Sequence, residues 1–63
     1  MKGTIIRLVD KGFGFIRGED NKEYFFHRSA IKNAQFEALR DGTEVEFNES
    51  QGNKGPRAED VFV

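Results

Sequence analysis

The chain of 63 residues is predicted to be all-β, a small closed barrel of five strands, on three observations. Turn signals recur at short intervals: Asp10-Lys11-Gly12, the stretch 18–21, Asp41-Gly42 and the stretch 52–56. The runs between them are short and rich in β-branched and aromatic residues, which suit a pleated surface. Five such runs in so short a chain favour closure, because a closed barrel has no exposed sheet edge.

Residues 3–9 supply the first strand with Ile, Thr and Val, and residues 13–17 and 23–27 supply two aromatic ones. Residues 43–48 alternate cleanly, Val45 and Phe47 against Glu44 and Glu46, and residues 57–63 end in Val61-Phe62-Val63. The segment 28–40 is different. Its apolar residues Ala30, Ile31, Ala34, Phe36, Ala38 and Leu39 do not hold a 3.6 period, so it reads as a long connection with one helical turn, anchored by Ile31. Residues 50–56, SQGNKGP, read as a flexible loop between the last two strands. Residues 1–63 form one domain.

Strand parity decides which side chains look inward, since alternate residues face opposite sides. In KGFGFI, residues 11–16, Ile16 shares a face with Gly12 and Gly14, while Phe13 and Phe15 share one with Arg17. An unpaired charge is costly to bury, so Ile16 turns in and both phenylalanines turn out. By the same argument Tyr24, Phe26, Val45 and Phe47 turn in, and Phe25 and His27 turn out. Phe13, Phe15, Phe25 and His27 then make one exposed aromatic patch on two neighbouring strands, the mark of a binding surface. The competing expectation is a satellite core beneath the long connection. Gly12 and Gly14 crowd neither the interior nor a ligand, and tolerate a tight bend.

The net charge of −1 is unlike that of a generic basic nucleic-acid binder. Its distribution is uneven: residues 1–32 carry seven Lys/Arg against four acids, and residues 33–63 carry three against seven. The basic half is also the aromatic half. Rings interleaved with cations suit single-stranded nucleic acid, whose bases stack while Lys and Arg follow the phosphates. A duplex offers no free base faces. Glu44, Glu46 and Glu49 are expected on the outward side of the fourth strand, where they repel phosphate or simply discourage sheet pairing.

Catalytic chemistry finds no support. There is no cysteine and one histidine, so His27 makes no usual zinc site. No GxxxxGK[ST] loop, paired carboxylates or triad can be assembled. No cofactor, metal or small-molecule substrate is expected. The opening MKGTIIRLVD lacks a long apolar run, so the expectation is a cytoplasmic protein without membrane attachment, monomeric through barrel closure, with a domain-swapped dimer left open by the apolar C-terminus.

KGFGFI and YFFHRSAI (residues 24–31), with the tail GNKGPRAEDV, resemble the bacterial cold shock proteins, whose first and second ribonucleoprotein motifs these two stretches match in order and separation. The resemblance covers nearly the whole chain. It implies a five-stranded antiparallel OB-fold barrel that binds single-stranded RNA and ssDNA, acts as an RNA chaperone and affects transcription or translation. It places stacking positions on Phe13, Phe15, Phe25 and His27, a further ring on Phe36 in the long connection, and basic positions on Lys11 and Lys54. Ile5, Ile16, Phe26, Ile31, Val45 and Val61 become interior positions.

Two departures matter. Where the family's first strand carries an exposed tryptophan followed by phenylalanine, this chain has Arg7 and Leu8, and the turn after them is one residue shorter. The position after the histidine, usually aromatic, is Arg28. Two stacking surfaces are therefore missing, and at or near them stand two guanidinium groups, which can stack on a base or meet a phosphate. The expected consequence is binding with a larger electrostatic share. The alternative is a protein-interaction module on the same barrel with weakened nucleic-acid binding.

Overall fold

Five short runs that alternate bulk with small or polar residues become five strands in the computed structural model, which describes residues 1–52 and 55–63. They are β1 (Lys2–Val9), β2 (Phe13–Gly18), β3 (Glu23–His27), β4 (Glu44–Gly52) and β5 (Gly55–Phe62), closed into a barrel in the order β1-β2-β3-β5-β4. Four seams are antiparallel and the fifth, β3 against β5, is parallel at Phe25 and Arg57. The expectation of an antiparallel barrel meets a limit of arithmetic here. A ring with an odd number of strands cannot reverse direction at every seam.

Parity holds inside the barrel along β2, β3 and β4, while a register shift in β5 lets Ala58 and Val61, three residues apart, both turn in. Ile5, Ile16, Tyr24, Phe26, Val45, Phe47, Ala58 and Val61 are buried, joined by Leu39. Burying aliphatic and aromatic side chains at about 1.5–3 kcal/mol each is the main force available to so small a domain. Ile31, expected inside, is only half-buried at the border of this core, although its backbone bridges Val61. Leu39 is the buried anchor of the long connection, which contains two 3-10 turns, Arg28–Ala30 and Phe36–Ala38, where one was expected. Residues 50–56, expected as a loop, lie largely in the ladder: Ser50, Gln51 and Gly52 pair with Arg57, Pro56 and Gly55. None of the described residues forms a helix long and apolar enough to cross a membrane.

One irregularity aims a side chain. Ile5 pairs with Ile16 and Arg7 with Phe15, so Ile6 is an extra residue in β1. A bulge bends its strand and resets parity. Without it, Arg7 would follow Ile5 into the core; with it, Arg7 joins the outer face.

The grouping of Glu49 with Glu44 and Glu46 does not hold. Glu44 and Glu46 are exposed opposite Thr4 and Lys2. Glu49 is exposed too, but it has the parity of Val45 and Phe47 and lies opposite the buried Ala58. Its carboxylate accepts from the Tyr24 hydroxyl at 2.9 Å, which also donates to Asp20 at 2.5 Å. A phenol has one proton, so two carboxylates share it, Asp20 holding the shorter leg. The bond to Asp20, then burial and the bond to Glu49, push the phenol well above its usual value. The same hydrogen bond is the main cause that holds the Asp20 carboxyl below its ordinary 3.8.

Tyr24→Phe is therefore expected to lower the thermal midpoint at neutral pH. A carboxyl whose folded value is depressed stabilises above its unfolded value and loses that contribution as pH falls through the folded one. The gap between wild type and Tyr24→Phe should thus narrow below about pH 4. Melting curves across the acid range check this, and a gap independent of pH would contradict it.

Candidate nucleic-acid interface

The outer face of β1, β2, β3 and β5 is built in rows, because residues paired across a ladder point the same way. Val9, Phe13 and His27 form one row. Arg7, Phe15, Phe25 and Arg57 form the next, and Thr4, Arg17 and Glu23 the third. The rings that parity turned outward do share one wall. Phe13 and Phe25 have centroids 5.5 Å apart, Phe15 and Phe25 6.0 Å, and Phe13 and Phe15 6.3 Å. The Phe15 pairs are edge-to-face, at 84° and 71°, the arrangement ring quadrupoles prefer. Each ring is half-buried against its neighbours, so the patch is a supported platform with outward faces.

Two glycines make the wall possible. Gly14 lies between Phe13 and Phe15 on the inward parity, where the Phe26 ring and the Arg7 carbonyl occupy the space a Cβ would need. Gly12 has φ +95°, and the Arg28 side chain lies across it, its Cδ 3.1 Å from where a Cβ would stand. The Arg28 amide also donates to the Gly12 carbonyl at 2.8 Å. The glycines beside the phenylalanines thus let one strand approach the core and one arginine lie flat over the turn.

His27 is held by its neighbour. Ser29 donates its amide to Nδ1 at 3.2 Å, and the Ser29 hydroxyl stands 3.0 Å from the same nitrogen. An accepting Nδ1 assigns the proton of the neutral ring to Nε2, which has no partner among the described residues. The half-buried imidazole is oriented for stacking or donation beside Phe13.

The cations are distributed tellingly. Among the described residues the ion pairs are Arg17 with Glu23 at 3.4 Å and Lys32 with Asp60 at 3.6 Å. Arg7, Arg28 and Arg57 have no carboxylate partner among the described residues, and Lys11 is exposed in the turn before β2. Exposed Glu44 and Glu46 belong to β4, a neighbour of neither β2 nor β3. Phe36 stands apart from the wall. It is half-buried at the barrel's end, its ring 6.3 Å from Phe26, beside a groove shared with Leu8 and Leu39. Lys54 lies outside the described residues. Among those residues, no three His, Cys, Asp or Glu side chains gather as a metal site.

One wall residue escaped the sequence reading. Arg57 follows the chain's single proline, and parity counted back from Val61 would turn it inward. The register shift on the β4–β5 ladder, where Glu46 pairs with Phe62 and Asn48 with Glu59, leaves an extra residue in β5 and turns it out. What no local signal carries is that β5 runs beside β3, which brings Arg57 to Phe25.

The family model for the 'Cold-shock' DNA-binding domain matches residues 1–63. Cold shock protein 2 of Lactiplantibacillus plantarum is 50% identical over 53 residues, 84% of this chain and 80% of that protein. Cold shock-like protein CspJ of Salmonella typhi is 49% identical over 55 residues, 86% of this chain and 79% of that protein. Cold shock-like protein CspB of Bacillus cereus is 46% identical over 52 residues, 82% and 80% of the two chains.

Proposed function

The chain belongs to the cold-shock domain family, a nucleic-acid-binding family, and from that premise we propose that it binds single-stranded RNA and ssDNA on the β1–β2–β3–β5 wall. The observation that carries this reading is the cluster of three mutually contacting phenylalanine rings with His27, bordered by arginines that have no carboxylate partner among the described residues. Bases stack on the rings through their π-faces, which every base possesses, so sequence tolerance follows. Phosphates are met by Arg7, Lys11 and Arg28. Preferential binding to unpaired strands draws a hairpin toward its open form by mass action, without ATP. That is sufficient for an RNA chaperone acting on transcripts.

Anisotropy of a labelled pyrimidine oligonucleotide at low salt tests the reading, with the duplex of equal length as the comparison. Binding of the single strand in preference to the duplex is expected. If neither is bound, the barrel serves as a protein-interaction module instead.

The arginines set the salt response. For single strands log K falls with log salt at a slope of about −0.7 per neutralised phosphate. Arg7 and Arg28 stand where the family resemblance implies stacking rings, so the slope should be steeper than that of a cold shock protein with aromatics at both places. Replacing both by glutamine should flatten it by about 1.4. Parallel salt titrations decide, and equal slopes would remove the electrostatic reading.

A further inference from the structure

The middle row of the wall ends in a cation at each side. Arg7 stands opposite Phe15 on β1, and Arg57 stands opposite Phe25 on β5. Arg57 is exposed, and its guanidinium carbon lies 5.9 Å from the Phe25 ring centroid. Its stem passes Gly52 on β4, its Cδ 3.7 Å from where a Cβ would stand. An exposed arginine normally samples many rotamers, at an entropic cost to any contact it makes. Resting against a ring on one side and a bare glycine on the other, this one is already placed, with its charge uncommitted to any described carboxylate.

We propose that Arg57 is a nucleic-acid-contacting residue that closes the platform on the β5 side by meeting a backbone phosphate. Resting on the reading that the wall binds single strands, the inference makes Arg7–Phe15–Phe25–Arg57 a recognition unit. Two bases lie on the two rings, with a phosphate at each arginine. The row crosses three interstrand spacings of about 4.8 Å, roughly 14 Å in all, so the bound strand runs across the sheet rather than along it. Guanidinium suits the position better than ammonium. Its plane can keep a face on Phe25 while its edge donates two parallel hydrogen bonds to phosphate.

The test separates a phosphate contact from mere support of the Phe25 ring. Salt titrations of oligonucleotide binding are run on wild type, Arg57→Gln, Arg57→Lys and Phe25→Ala, with Lys22→Gln in the β2–β3 turn as a control away from the row. Arg57→Gln should weaken binding and flatten the slope by about 0.7, so that its deficit shrinks about threefold between roughly 50 and 200 mM salt. Arg57→Lys should restore the slope while leaving affinity below wild type, and Lys22→Gln should leave the slope unchanged. Weakened binding by Arg57→Gln with an unaltered slope would mean that Arg57 only steadies Phe25, overturning the inference. Phe25→Ala reports on the platform itself. If it binds like wild type, or if wild type does not bind, the wall is not the site and the proposed function fails as well. If Phe25→Ala loses affinity while Arg57→Gln matches wild type, only Arg57 is misassigned.

Discussion

Phe15→Ala and Phe25→Ala should each lower affinity for a pyrimidine oligonucleotide by about fivefold to 150-fold, since a base stacked on a ring contributes about 1–3 kcal/mol by truncation. The two rings touch each other, so the double variant should lose less than the sum of the singles. Stability should fall modestly, because what the fold loses is ring-to-ring contact worth about 0.5–1.5 kcal/mol per pair. The adjacent residue supplies the contrast. Phe26 is fully buried, and Phe26→Ala should cost about 3–5 kcal/mol, a large share of what holds a domain of this size. Anisotropy and melting curves on the four proteins separate the roles of two phenylalanines that are neighbours in sequence and face opposite ways. Unimpaired binding by a folded Phe25→Ala would show that the wall is not the platform.

That contrast also explains what could be read from sequence. Parity is a local rule, and it sorted Phe13 and Phe15 from Ile16, and Phe25 and His27 from Tyr24 and Phe26, because one charged residue per strand was enough to label the outer face. The ladder pairings of β2 with β3 follow directly from the short turn between them. What parity cannot see is an extra residue or a distant neighbour. The bulge at Ile6 reverses the side of Arg7, and nothing in IIRLVD announces it. The parallel seam that brings Arg57 beside Phe25 depends on the closure of the whole ring.

Leu39 and Glu49 show a second kind of difficulty. Leu39 lies in a connection with no period to read, so its burial in the core cluster is decided by tertiary packing rather than by a local pattern. Glu49 had the inward parity, but a charge there reads as a reason to move it outward. It remains because it sits at the rim, where the carboxylate accepts from the Tyr24 phenol while staying in contact with solvent. Hydrogen bonding at a barrel's end can satisfy a polar group that the same rule would exclude from the middle.

Gly14→Ala is expected to be strongly damaging for so small a substitution. A Cβ at this position would stand 2.6 Å from the Arg7 carbonyl oxygen and 2.9 Å from the Phe26 ring. Neither neighbour can yield cheaply: one is the backbone of the adjacent strand and the other a fully buried core ring. Relief requires β1 to part from β2, at a cost of about 3 kcal/mol by comparison with other overpacked sites. In a domain of this size that lowers the thermal midpoint by roughly 10–20 °C. Gly42→Ala is the control, because a Cβ there meets nothing within 4 Å and the strain comes only from a φ of +92°. It should cost about 1–2 kcal/mol. The consequences reach the aromatic wall, since the strand that moves is the one carrying Arg7 opposite Phe15. Whatever fraction of Gly14→Ala remains folded should therefore bind oligonucleotide more weakly and with a flatter salt slope. If Gly14→Ala melts as Gly42→Ala does, then β1 and β2 do not approach at Gly14 as closely as the wall requires, and the placement of Arg7 beside the rings falls with it.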